Sequence, residues 1–188
     1  MLAQRFNGYD KVLLLPTKAP SLGIERKKCG RFSGLSAFQV VKTYVSKWRL
    51  TEYLLIIDME HFGLHHDKVS IQNAIEDNVR SFGFADPKVT LLNEGAYRIS
   101  CFLGSHRISM NAALSGSEKR VEENISKLIK LEYNTEIAPE KGDIESELHR
   151  LGLSLEELLR KSDLNNLSRA FPGLTAALKD FENHTTSS

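Results

Sequence analysis

The run Glu52-Tyr-Leu-Leu-Ile-Ile-Asp58, continued by Met59-Glu-His-Phe-Gly-Leu-His-His-Asp67, constrains the fold more than any other stretch. Its first half is short, continuously apolar and bounded by polar residues. That pattern predicts a central strand buried on both faces, as in a parallel sheet under helices. Its second half gathers Asp58, Glu60, His61, His65, His66 and Asp67 where the chain leaves the core. In open α/β sheets ligands bind outside the carboxyl ends of the strands, so a chemical site is expected here. The same residues also suit an ordinary solvated loop, because a chain emerging from a core meets water.

Flanking segments supply the rest of such a sheet. Lys11–Pro16 reads as a first strand that ends at proline, which has no N–H for a ladder. Phe38, Val41, Val45 and Trp48 recur at helical spacing, as do Val69, Ile71, Ala74, Ile75 and Val79 over 68–82. Lys88–Asn93 is a further strand, and Asp86-Pro87 closes the helix before it. Alternating apolar residues over 97–103 and 107–114, joined by Gly104-Ser-His106, predict a hairpin with one buried face, placed toward a sheet edge. Ser117 is the expected N-cap of a helix carrying Val121, Ile125, Leu128, Ile129 and Leu131. The fold class is therefore α/β: a three-layer, Rossmann-like sheet, mainly parallel with an antiparallel hairpin, plus C-terminal helices. Residues 1–135 form the α/β domain, 136–182 a helical segment packed on it, and 183–188 a disordered tail.

That C-terminal segment contains a pattern resembling a DNA-binding helix-turn-helix, from Leu148 to Leu167. Its second helix offers only Arg160 and Lys161, and 136–188 carries six basic against ten acidic residues. Repulsion from a phosphate backbone assigns it to packing instead. The first fifty residues differ, with ten Lys and Arg against Asp10 and Glu25. Arg26, Lys27, Lys28 and Arg31 are the candidate phosphate-binding residues there, on a loop after the first strand. The alternative is that this charge neutralises the acidic remainder of the domain.

A hydrophobic fraction of 41% is enough for a real core. No apolar run approaches the roughly 20 residues needed to span a bilayer, and the N-terminus lacks a secretory h-region, so a cytoplasmic protein is expected. Cys29 and Cys101 have neither zinc-finger nor disulfide-framework spacing.

Asp58 and Glu60 stand two apart, which in extended backbone puts both carboxylates on one side of the strand end. Two converging carboxylates suit magnesium or manganese, and His61 shifts the preference toward manganese, iron or zinc. Asp58, Glu60 and His61 are thus the candidate metal ligands. A buried strand ending in Asp-x-Glu, preceded by strand and helix and followed by helix and strand, resembles the topoisomerase–primase (Toprim) fold over about 11–92. The resemblance implies a magnesium site built on Asp58, with Glu60 in place of the family's second aspartate. The family's glutamate after the first strand is replaced here by Leu15-Pro16-Thr17. A degenerate, non-catalytic module binding nucleic acid or a protein partner is therefore implied. The alternative is a divalent-metal-dependent nuclease or phosphoryl-transfer enzyme, in which Glu25 or Glu94 supplies the missing acid.

Overall fold

The computed structural model describes residues 37–49, 51–62, 67–93, 95–116 and 120–185. The expected strand at 11–16, the basic residues Arg26, Lys27, Lys28 and Arg31, and Glu25, His65, His66, Glu94 and Ser117 lie outside those residues.

Helix α1 (Ala37–Trp48) buries Phe38, Val41, Tyr44 and Val45, and strand β1 (Glu52–Asp58) follows it. A 3-10 turn, Met59–Phe62, leads on toward helix α2 (Lys68–Ser81). Asp67 caps α2 by accepting from the backbone N–H groups of Val69 and Ser70. That satisfies two of the donors a helix start leaves without partners. Ile71, Ile75 and Val79, spaced one turn apart, form the buried stripe of α2. Three strands come next: β2 (Ala85–Asn93), β3 (Ala96–Leu103) and β4 (His106–Ser115). Helices α3 (Val121–Tyr133), α4 (Lys141–Arg150), α5 (Leu155–Lys161), α6 (Leu164–Ala170) and α7 (Pro172–Thr185) complete the described chain.

The sheet order is β1-β4-β3-β2, with β1 parallel to β4 and the other two pairings antiparallel. The described sheet is therefore mostly antiparallel, not mainly parallel. Two placements also differ from expectation. Among the described strands β1 is at one edge, with Ile56 51% exposed, and the 96–115 hairpin occupies the two central positions. The physical reason lies on the side of β3 and β4 that the alternation leaves outside the first buried face. Arg98 and Asn111 point to that side, where Asp180 of α7 accepts from Arg98 Nε at 2.8 Å and from Asn111 Nδ2 at 2.7 Å. Asn111 also donates to the carbonyl of Ala177 at 3.1 Å. Polar residues alternating along a strand thus serve a buried helix contact as well as they serve water.

Helices cover both faces. On one face, Tyr53, Ile57, Tyr97, Ile99, Cys101, Ile108 and Met110 pack with α1 and α2. On the other, Ala96 and Ala113 meet Ile125, Leu128 and Ile129 of α3 and Leu174, Ala177 and Leu178 of α7. Leu148, Leu158 and Leu167, from the segment resembling a helix-turn-helix, belong to that second cluster. Strand β2 starts earlier than 88. Asp86 at φ 49° and Pro87 form an irregularity that only an outer strand accommodates without losing a ladder bond. Helix α7 runs to Thr185, past the expected start of a tail at 183.

Candidate metal centre

Parallel pairing of β1 with β4 brings their carboxyl ends side by side, with Asp58 opposite Ser115. Beyond Asp58 the backbone turns instead of staying extended. In a 3-10 turn residues i and i+3 fall on the same side. Met59 and Phe62 are accordingly buried together, and Glu60 and His61 are left outward. The two carboxylates converge through this turn, not through strand alternation.

One ligand atom each from Asp58, Glu60 and His61 lies within 4.8 Å of the other two. Oxygen–metal bonds of about 2.0–2.1 Å bring neighbouring ligands of an octahedral ion to about 3 Å from each other, so small side-chain rotations close this set. The donors are two hard oxygens and one imidazole nitrogen, a set that fits manganese, iron or zinc better than magnesium.

Each acid also has a protein partner. The Ser115 hydroxyl donates to Asp58 Oδ1 in a short contact. Arg120 Nε donates to Glu60 Oε2 at 2.8 Å, with the two side chains 61% and 40% exposed. The hydrogen bond to Glu60, and then its charge, push the Arg120 pKa further up, with Glu122 and Glu140 adding to the negative surroundings.

Asn124 holds the segment that carries Ser115 and Arg120. Its buried side chain accepts from the Gly116 N–H and donates to the Ala170 carbonyl at 2.6 Å, tying the end of β4 to α6. Gly116 has φ 82°, and a Cβ there would lie 2.4 Å from the Arg120 backbone nitrogen. Only glycine lets the chain fold back this closely.

The structure thus brings together all three expected metal ligands, whereas Asp67, grouped with them in the sequence, is a helix cap. Ser115, Arg120 and Asn124 were not foreseen. Their place at the site depends on β1 pairing with β4, a contact between segments some fifty residues apart that no local pattern announces. No family model matches the chain, and no curated protein or solved structure matches it significantly.

Proposed function

We propose that Asp58, Glu60 and His61 bind a divalent cation and that the domain uses the cation to engage a phosphate-bearing ligand. The observation that carries this reading is the convergence of two carboxylates and an imidazole within 4.8 Å at the end of β1. A cation there neutralises the paired acids and presents a Lewis-acidic centre to phosphate oxygens, the chemistry of phosphoryl transfer and phosphodiester cleavage. Support also comes from the resemblance of the Asp-x-Glu strand end to the Toprim family. A three-layer, Rossmann-like description of the fold belongs to the same proposal, supported by helices on both sheet faces.

A second reading makes the domain a non-catalytic module for a nucleic acid or protein partner. It is favoured by the partners the acids already have, Ser115 for Asp58 and Arg120 for Glu60. Thermal melting with and without manganese separates the two. Saturation at 100 times Kd stabilises a protein by about 2.7 kcal/mol, and Asp58→Asn is expected to remove that gain. A wild-type melting temperature that ignores manganese leaves the second reading alone.

A further inference from the structure

We propose that Arg120 is the internal counter-ion of this site and that it changes partner when the site fills. A divalent cation takes Glu60 from it, and the released guanidinium then holds a phosphate oxygen of the ligand on that cation. The inference rests on the cation reading of Asp58, Glu60 and His61, and it adds the residue that recognises the phosphate.

Four features support it. The Arg120–Glu60 pair is solvent-exposed on both sides, and exposed pairs are held weakly enough to exchange partners. Arg120 engages one oxygen, Oε2, of a carboxylate that is also within reach of Asp58 and His61. Cation and guanidinium therefore compete for the same group. The backbone of Arg120 lies against Gly116, which Asn124 ties to α6, and its carbonyl accepts from the Glu123 N–H at 3.2 Å, so the side chain swings from the start of α3. Finally, a guanidinium matches phosphate geometry with two parallel N–H donors.

The surroundings set the order of events. With Glu60, Glu122 and Glu140 around one guanidinium and Asp58 beside Glu60, the metal-free site repels an anion. A divalent cation offsets two of those negative charges and frees Arg120 together, so cation and phosphate promote each other's binding. Such coupling is reciprocal and typically amounts to about 5–150-fold.

Isothermal titration of the full chain with manganese and with inorganic phosphate tests this, at concentrations where manganese phosphate stays dissolved. In the wild type, phosphate affinity should rise at least about 5-fold when manganese is present. Arg120→Ala should bind manganese more tightly, because Glu60 has lost its competitor, and should lose the manganese-dependent gain in phosphate affinity. Arg120→Lys keeps the charge without the planar pair of donors, and is expected to recover only part of that gain. Manganese binding in the wild type with unchanged manganese affinity or an unchanged phosphate gain in Arg120→Ala overturns the proposal. Absence of manganese binding to the wild type overturns the cation reading beneath it.

Discussion

Glycine 173 is a residue where two physical effects oppose each other and geometry decides. Alanine is the better helix former by about 1 kcal/mol. A Cβ at Gly173, however, would sit 2.4 Å from the Gly95 carbonyl oxygen, a backbone atom with little room to yield. Overpacking of this kind costs about 1–3 kcal/mol, so Gly173→Ala is expected to destabilise. For a chain of this length each kcal/mol lowers the melting temperature by about 2–4 °C, and calorimetry showing a rise would contradict the packing of α7 on the β2–β3 turn. Cys101 is decided by burial. It is buried in β3 in the core cluster shared with α1 and α2, with its thiol pushed up to about 12 from an ordinary 9.0. The folded chain therefore holds its proton at pH values where the unfolded chain releases it. This contribution is fully present below about pH 9 and is lost as pH rises toward about 12, a direction shared by the buried phenols of Tyr53 and Tyr97. In a Cys29→Ser background, iodoacetamide should label Cys101 at the rate of unfolding; prompt labelling of the native protein would contradict its burial.

At the scale of elements, local signals were legible and pairings were not. β1 was expected at 52–58 and is found at Glu52–Asp58. Ser154, a capping residue type directly before the helix beginning at Leu155, forms a reciprocal capping box with Glu157. Ser154→Ala should cost about 1 kcal/mol, read as a shift in the urea midpoint, and no shift would show that the cap stabilises nothing. Such signals are carried by a few adjacent residues, so the sequence displays them directly. The neighbour of a strand is chosen by contacts far along the chain. The hairpin is expected at an edge because its alternation buries one face, yet Arg98 and Asn111 on the other face lie under α7 on Asp180. Asp180→Ala would leave Arg98 without its carboxylate on a covered face. The cost is expected near the lower end of about 3–5 kcal/mol, since Arg98 keeps 32% of its side-chain surface exposed. A loss below about 1 kcal/mol would mean that this ion pair does not hold α7 to the sheet.

For the whole molecule, the α/β class and the three candidate ligands stand out in the sequence because composition, periodicity and the Asp-x-Glu-His cluster each sit in short stretches. The mixed strand order was not readable, and with it went Ser115, Arg120 and Asn124, which reach the site only through β4. Among the described residues no helix is long and apolar enough to cross a membrane. Two core clusters on opposite sheet faces hold β1 and β4 side by side, and this sets Ser115 opposite Asp58 at their carboxyl ends. The most direct measurement is a crystal soaked in manganese chloride, with anomalous diffraction collected near the manganese edge. The account predicts one strong anomalous peak between Asp58, Glu60 and His61, with Arg120 turned away from Glu60. Well-ordered density for those side chains with no peak among them, and Arg120 still on Glu60, would contradict it.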